Sequence, residues 1–518
     1  MVDAQFVNVI FGVKLRQARL EAGLTLSEFA RRVEISPSYA TEVEKGRKYP
    51  RVDKIMRMAD VLDIPFNDLV SINLDPSLYN LESALSSSLI SQFPFQEFGL
   101  EASDLVGLLT KAPAKASALL NAILEIGRQH DLKEEHFWLA ALRSYQELHE
   151  NYFPELEEAA AGFAATHGLW NGEPVGRSKL EALLTERFRY RLDEDALAGM
   201  PALRSYRSVF VDGERPRLLL NAALHDNQVA FLLAREIGYR VLGLTERAMT
   251  SSPDQVDSFR QVLNDFKASY FAGALMMPQA ATVKDIQAFL ESPAWDPQRL
   301  LAMLDRYDVT PEMLLYRFSE LVPRFFGLKL HFLRVQGRDN RYTLVKRLNM
   351  NRLLMPSGLA LHEHYCRRWL VMRLLREMET TPQQTLQPVQ AAGGNGADAI
   401  GADFPRHSLH VGVQIDEFLQ PRDRFLSIGF ARPLVLTPSV NSSVVIGFQL
   451  DEAARERIRF LQDAAIPFAT INETCERCPL SAEECAVRAA PPIVYEAKRQ
   501  RVDRQAQLRE VLTGFDSE

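Results

Sequence analysis

The chain has 518 residues, 47% of them apolar and 25% charged, with a formal net charge of −7. This composition excludes collagen, a bare coiled coil and a disordered chain, and the length allows about three domains at roughly 100–200 residues each. Because the balance is acidic, any nucleic-acid contact has to come from a local basic face. The four cysteines are too few for a secreted disulfide scaffold, and three of them fall within eleven residues, which points to metal binding in a reducing compartment. The opening Met1-Val2-Asp3-Ala4-Gln5 lacks the basic and apolar regions of a signal peptide, and no run of about 18 apolar residues exists. The expectation is a cytoplasmic protein that does not enter a membrane.

The first seventy residues carry apolar positions at helical spacing: Phe11, Leu15 and Ala18, then Leu26, Phe29, Ala30 and Val33, then Ala40 and Val43, then Val52, Ile55, Ala59 and Leu62. The breaks between them are chemically explicit. Gly23 follows the first helix and Thr25 caps the second; Ser36-Pro37 starts the third, which ends at Gly46 before Pro50. Two short helices joined by Glu34-Ile35 make a helix-turn-helix. Between Phe11 and Asp60 there are eleven Lys/Arg and seven Asp/Glu, a local positive excess in an acidic chain. Lys14, Arg16, Arg19, Arg31, Arg32, Lys45, Arg47, Lys48 and Arg51 are candidates for phosphate contacts, which position a protein on duplex without reading sequence. Ser36, Ser38, Tyr39, Thr41 and Glu42 on the third helix are candidates for base edges in the major groove. Spacing alone is equally satisfied by a small helical bundle with a solvated basic face.

The run Leu15-Arg16-Gln17-Ala18-Arg19, Gly23 to Ala30, Ile35 to Ala40 and Val43 to Pro50 resembles the XRE/Cro-type DNA-binding domain over about sixty residues. The resemblance implies double-stranded operator DNA as partner and adds Ser27 to the DNA-facing set. Ser27 stands where that family often carries a glutamine.

Residues 73–150 read as a helical connector or dimerisation segment, with a short irregular hinge at Ser87–Ser91 and Phe93-Pro94-Phe95 and helical spacing from Leu105 to Tyr145. Beyond it, Arg217–Asn221 looks like a strand, followed by helices over Gln228–Arg240 and Phe266–Pro278. This layout resembles the ImmA/IrrE-type metallopeptidase domain, whose helix bears H-E-x-x-H and whose later helix supplies an acid. Here the two metal-ligand positions are Arg235 and Tyr239. Zinc takes neutral imidazole, thiolate or carboxylate donors, and an arginine cannot deprotonate to become one. Glu236 keeps the general-base position but lacks a metal-activated water to work on, and Lys267 lies near where the acidic ligand is expected. The expectation is therefore a degenerate zincin-like domain without peptidase activity. Arg204, Arg207, Arg235 and Tyr239 remain as candidates for an anionic small molecule, against the plainer reading of solvated or ion-paired arginines. His225-Asp226 nearby reads as structural. Thr310–Phe318 reads as a capped helix, and Leu328–Val335 with Tyr342–Lys346 as a hairpin.

In the last third, Thr380–Asp403 is rich in Pro, Gln, Gly and Ala and reads as a surface loop. Ser408–Asp416, Arg424–Phe430 and Ser443–Leu450 read as strands of one sheet, Glu452–Asp463 as a helix, and Val494–Val511 as a charged helical tail. Cys475, Cys478 and Cys485 have C-x2-C and C-x6-C spacing, and Cys366 brings the set to four, as a tetrahedral zinc or a four-iron cluster requires. His362 or His364 is an alternative to Cys366 as the remote ligand.

Taken together, the N-terminal run, the degenerate peptidase layout and the cysteine block ending in Arg488-Ala-Ala-Pro-Pro492 resemble the short-chain fatty acyl-CoA regulator family, which includes the propionate-responsive transcription factors of actinobacteria. That resemblance implies a 4Fe-4S cluster on Cys366, Cys475, Cys478 and Cys485, with zinc as the alternative, and a short-chain acyl-CoA effector. The gap between Cys478 and Cys485 is longer than the family spacing. The expected fold is multidomain: an all-α helix-turn-helix head at 1–72, an α-helical connector at 73–150, an α+β degenerate zincin-like domain at 151–345, an α+β C-terminal sensor domain at 346–492 and a charged helical tail at 493–518. The expected function is a homodimeric, or higher even-oligomeric, DNA-binding transcription regulator rather than an enzyme. The alternatives are a zinc-stabilised regulator without a small ligand and a metallopeptidase that cleaves a repressor.

Overall fold

The computed structural model describes residues 4–71, 95–98, 134–251, 256–350, 363–380, 409–420 and 422–515. The expected hinge at 87–91 and 93–94, the helical stretch 105–133, the loop 381–403 and His362 lie outside these residues. The chain divides into two compact units, Met1–Tyr145 with Gln255–Val262 and Gln146–Asp254 with Leu263–Glu518.

The first unit opens with five helices: α1 (Ala4–Glu21), α2 (Leu26–Val33), α3 (Pro37–Glu44), α4 (Val52–Leu62) and α5 (Phe66–Val70). Their ends are fixed by local chemistry. The Thr25 hydroxyl accepts from the Glu28 amide at 3.2 Å while the Glu28 carboxylate accepts from the Thr25 amide at 3.1 Å, a complete capping box. Glu34 adopts the left-handed conformation at φ 60° and closes α2. Ser36 accepts from the Tyr39 amide at 3.1 Å with Pro37 opening α3. The apolar faces meet in one core containing Phe11, Leu15, Phe29, Val33, Val43 and Ile55. Gly12 allows α1 to press on the end of α3, since a Cβ there would sit 2.5 Å from the Val43 carbonyl oxygen. A helix α6 (Glu134–Leu148) follows.

The second unit takes in the end of α6 from Gln146 and the remaining elements, apart from the opening of the helix that begins at Phe259, which belongs to the first unit up to Val262. Helices α7 (Pro154–Thr166) and α8 (Arg177–Ala182) precede a three-stranded sheet of order β1-β3-β2, built from β1 (Arg191–Asp193), β2 (Ser208–Val211) and β3 (Arg217–Leu220). Then come α9 (Asp226–Val241), α10 (Phe259–Met276), α11 (Gln279–Leu290), α12 (Pro297–Tyr307) and α13 (Pro311–Phe326). Nearly every residue of α9 from Val229 to Tyr239 is buried, so this helix is covered on all sides. Gly238 permits its tight crossing with α10: an added Cβ would lie 3.0 Å from the Phe271 ring and 3.1 Å from the Ala268 carbonyl oxygen.

A six-stranded sheet of order β5-β4-β8-β7-β6-β9 forms the other part of this unit, from β4 (Leu330–Arg338), β5 (Arg341–Asn349), β6 (His410–Phe418), β7 (Arg424–Pro433), β8 (Asn441–Gln449) and β9 (Phe468–Ile471). Neighbours are antiparallel except β6 and β9. Helix α14 (Leu370–Thr380) packs across it through Leu370, Leu374 and Leu375. The hairpin expected inside the middle domain is β4–β5, but β4 pairs with β8 from Leu330↔Phe448 to Gly337↔Asn441. The hairpin therefore belongs to the C-terminal sheet and not to a domain ending at 345. Pairing between strands more than 100 residues apart leaves no local sequence mark. The helix expected over 452–463 is α15 (Glu452–Arg457) plus a 3-10 turn at Arg459–Gln462, because Ile458 is extended between them. The last helix, α16 (Ile493–Phe515), lies largely in solvent where its side chains are described, and its first amides, Val494 and Tyr495, both donate to the Glu476 carbonyl at 3.0 Å. The multidomain α and α+β architecture is as expected.

Candidate functional site

In the head, α3 faces outward. Ser38 is exposed, Ser36 is spent on its cap, and the Thr41 hydroxyl donates to the Pro37 carbonyl at 2.9 Å. Glu42 pairs with Arg47 at 3.4 Å, and Tyr39 lies under the Lys54 ammonium, 4.2 Å from its ring centroid. Ser27, Lys45, Arg47, Lys48 and Arg51 are exposed around this helix, as are Arg31 and Arg32, while Arg16 is half-buried. Two of the expected phosphate contacts turn inward. Arg19 is 7% exposed and grips Glu44 at 2.6 and 3.0 Å, tying α1 to α3. Lys14 donates to the Asp68 and Ser71 carbonyls at 2.9 and 2.7 Å, satisfying the open end of α5. Helix-end carbonyls and buried carboxylates compete with DNA for cations, and spacing alone does not separate the two uses.

In the second unit, α9 carries the degenerate motif. Arg235 pairs with Asp265 of α10 and donates to the Ser251 hydroxyl at 2.9 Å, and the Tyr239 hydroxyl donates to Asp265 at 3.2 Å. Glu236 is clasped by Arg247 at 2.6 and 2.7 Å and accepts from the Tyr190 hydroxyl at 3.2 Å. The Arg247 guanidinium lies 3.8 Å from the Phe210 ring centroid and 3.9 Å from that of Tyr239. Two guanidinium cations and two carboxylates thus neutralise each other at the position where the peptidase resemblance puts a metal. The acid on α10 is Asp265, not a residue displaced by Lys267. A buried arginine demands such a partner, and Asp265 begins the i, i+3, i+7 row with Ala268 and Ala272 that faces inward, which is the signal that marks it. Arg235 and Tyr239 are consequently engaged inside the protein and do not join Arg204, which is exposed.

Arg207 keeps different company. Burial lowers its pKa to about 10, assisted by Arg334 of β4 and Arg432 of β7 and opposed by Glu312 at the start of α13. Arg432 holds Glu312 at 2.7 Å, and although burial raises that carboxyl, Arg432 and Arg334 bring it down to about 2. Arg334 donates to the Ser442 hydroxyl at 3.3 Å. On β8 beside them, the buried Ser443 hydroxyl and the Asn441 side-chain oxygen have no hydrogen-bond partner among the described residues. The Lys346 ammonium lies 3.5 Å from the Tyr316 ring centroid, and desolvation lowers its pKa to about 8. Three guanidinium groups around one carboxylate leave positive charge for an incoming anion. Of these three arginines the sequence marks only Arg207, because Arg334 and Arg432 are brought together by the β4-β8-β7 pairing and come near it only in the folded chain.

The four cysteines are 4–7% exposed and unpaired by disulfides. A bridge between Tyr365 and Thr474 aligns the two segments, with the Cys366 amide donating to the Glu473 carbonyl at 3.1 Å and the Cys475 amide to the His364 carbonyl at 2.9 Å. Burial pushes the Cys366 thiol up to about 12, with Cys475 and Cys478 adding to the shift, and it raises Cys478, which also feels Cys485. Cys478 is thus within electrostatic range of the other three. His364 is held instead by Glu476, Nδ1 to Oε1 at 2.7 Å. Among the described residues no group of three or more His, Cys, Asp or Glu is arranged to hold a metal ion. The donor chemistry nevertheless suits a thiolate-held centre. The Ala489 amide donates to the Cys475 sulfur at 3.3 Å, Arg488 interacts with Cys478, and buried Arg367 interacts with Cys475 while its Nε has no partner among the described residues. One N–H on sulfur, with two guanidinium cations in electrostatic range of the thiols, matches a centre of net negative charge.

Comparison with known proteins matches two parts of the chain. Residues 15–69 match the helix-turn-helix family model and residues 192–319 the IrrE N-terminal-like domain. With its capped third helix, the head is a helix-turn-helix domain of the DNA-binding type, and residues 192–319 are similar to an IrrE-like domain. It is 25% identical over 439 residues to the propionyl-CoA carboxylase regulator of Cereibacter sphaeroides, covering 78% of this chain and 85% of that one. It is 23% identical over 347 residues to the HTH-type transcriptional regulator RamB of Mycobacterium tuberculosis, covering 64% and 69%. A solved structure described as a Mycobacterium tuberculosis transcriptional regulator aligns over 67% of this chain and 93% of its own, at 18% identity and a TM-score of 0.46. Among the described residues no helix is long and apolar enough to cross a membrane.

Proposed function

We propose that this chain is a homodimeric transcription regulator that grips operator DNA by its head and changes that grip when a short-chain acyl-CoA binds the second unit, which also holds a thiolate-ligated iron–sulfur centre. The observation that carries the reading is the outward α3, capped at Ser36 and flanked by exposed Lys45, Arg47, Lys48 and Arg51. Such a helix fits the major groove while its basic border meets phosphates. One head spans too few base pairs for useful specificity, so two copies on a two-fold site are required.

The effector half rests on Arg207, Arg334 and Arg432. Guanidinium groups grouped this way suit the phosphates of a coenzyme A thioester, and a relative named for propionyl-CoA carboxylase regulation supports that ligand class. A ligand that prefers one of two states of the dimer shifts operator occupancy without catalysis. Cys366, Cys475, Cys478 and Cys485 would hold the cluster, which when bound supplies an electron-accepting centre. Arg367 and Arg488 offset negative charge there, and the Ala489 N–H stabilises the Cys475 sulfur. Zinc on the same four thiols is the second reading, since that donor set serves it equally. A repressor-cleaving peptidase has Arg235 and Tyr239 against it.

The test uses the full chain in gel shifts and footprints over genomic fragments. A preferred segment is expected, and it is lost when residues 1–72 are removed. A short-chain acyl-CoA should alter the footprint. The Arg207→Ala, Arg334→Ala double variant should bind the same segment without that response. A footprint with no preferred segment overturns the DNA reading; an unchanged response in the double variant overturns the effector site.

A further inference from the structure

A cavity in the second unit lies apart from the arginine cluster and the cysteines. It measures about 520 Å³ and is bounded by α7, the 170–175 loop, the end of α10, the first turn of α11 and the end of α12. That volume suits a small-molecule ligand. Its apolar lining includes Ala161, Val175, Met276 and the Trp170 ring. The indole N–H of Trp170 donates to the Leu275 carbonyl at 2.8 Å, which fixes the ring while leaving the residue 38% exposed. An aromatic surface anchored by its own backbone contact is ready to receive a ligand.

The charges around the cavity sort by whether they are already used. Glu157 is taken by Arg317, at 2.6 and 2.8 Å, and by the Tyr270 hydroxyl. Arg306 is taken by Asp285 at 2.7 Å, and the Tyr307 hydroxyl donates to the same carboxylate at 2.6 Å. Glu158 and Glu173 remain. Glu158 has no ion pair among the described residues, and Glu173 has a solvent-exposed contact of 3.4 Å with Lys179. The lining therefore carries one carboxylate without an ion pair among the described residues, Glu158, and one held only by the exposed Lys179, beside an indole face; this attracts a cation twice over, through the carboxylates and through the ring quadrupole.

We propose that this cavity binds a small organic cation, an ammonium group on an aromatic or branched apolar body, at a site separate from the anion-binding arginines. The body covers Met276, Val175 and Ala161, and the ammonium lies between the Trp170 face and the Glu158 and Glu173 carboxylates. An acyl-CoA would be repelled here, so the two sites accept ligands of opposite sign. This inference does not depend on the DNA or effector reading.

The experiment is isothermal titration of the full chain with three indoles of equal body and different charge: tryptamine, uncharged tryptophol and anionic indole-3-acetate. Tryptamine should bind, tryptophol about tenfold more weakly, and indole-3-acetate more weakly still. The Glu158→Gln, Glu173→Gln double variant, altered only at exposed side chains, should narrow the gap between tryptamine and tryptophol to the part the ring face alone supplies, and keep its circular dichroism and melting curve. Trp170→Leu should weaken both. Absence of tryptamine binding, equal binding of the three indoles, or a charge preference undiminished in the double variant would each overturn the proposal. So would binding of a lysine-containing peptide by a chain that ignores tryptamine, since the surface would then serve a protein partner.

Discussion

Two places in the second unit resemble metal sites, and they have been completed in opposite ways. At the degenerate peptidase centre, Arg235 and Arg247 supply the positive charge themselves and are answered by Asp265 and Glu236. At the cysteine cradle, four buried thiols are surrounded by groups that favour negative sulfur, Arg367, Arg488 and the Ala489 amide. The first site is closed because its charges already cancel. The second gathers donors whose charged form burial disfavours unless a metal-containing centre is bound. The difference teaches how the two can be told apart: the first carries its cations inside, against its own carboxylates, whereas the proposed thiolate site has buried donors with its cations outside them.

The sharpest way to break this contrast is at the cradle. Cys475→Ser should abolish the brown colour and broad visible absorption expected of anaerobically purified protein, and colourless wild-type protein containing zinc would remove the iron assignment while keeping the thiolate site. Next, Glu236→Ala should lower stability by about 3–5 kcal/mol in urea unfolding, because it leaves Arg247 buried and unanswered; Glu236→Leu with Arg247→Met should recover most of that loss. An unchanged midpoint in the single variant would mean the centre is not held by its own charges. Arg235→His with Tyr239→His leaves Asp265 as a third donor, and this variant should take up one cobalt ion per chain with tetrahedral visible bands in a Cys475→Ser background. No uptake would show that the surrounding packing, and not only the ligand types, excludes the metal.

Two further buried polar groups extend the comparison with a smaller effect. His331 is lowered to about 4 from 6.5 by burial, and Asp416 is raised to about 7 from 3.8, by burial against hydrogen bonds from Ser427 and Gln414. Between pH 6.5 and 4 the unfolded chain binds a proton that folded His331 refuses, so that residue makes stability fall as pH drops. Asp416 keeps its proton in the fold while the unfolded chain loses it, so it makes stability fall as pH rises from 3.8 to about 7. The two slopes oppose each other. Asp416→Asn should gain stability with rising pH over that range and His331→Phe should lose it, each by at most about 1.4 kcal/mol per pH unit in denaturation series. Two variants with the same slope would refute the assignment. In the head, Arg47→Ala should weaken operator binding a few-fold and reduce the salt slope by about one, without changing which sequence is preferred.

What the sequence made legible follows from how local each interaction is. The caps at Thr25 and Ser36 and the left-handed stop at Gly46 are decided within four residues, and the helices of the head fall where those signals put them. The strands at 410–418, 424–433 and 441–449 were readable from apolar runs and turn residues. The placement of β4–β5, the role of Asp265 and the gathering of Arg334 and Arg432 beside Arg207 were not, because each depends on partners that only the sheet or a helix crossing brings near. Lys14 and Arg19 show the same limit in reverse: their spacing is that of a DNA-facing surface, and their use is internal.

The attachment of α16 has a mechanical corollary. Its root is pinned by two amides to Glu476, in the short stretch separating Cys475 from Cys478, and its 23 residues extend about 34 Å at 1.5 Å each. A pivot of about ten degrees at the pin sweeps the far end through roughly 6 Å on a rod of that length, so the thiol loop is the fulcrum of the longest lever in the described chain.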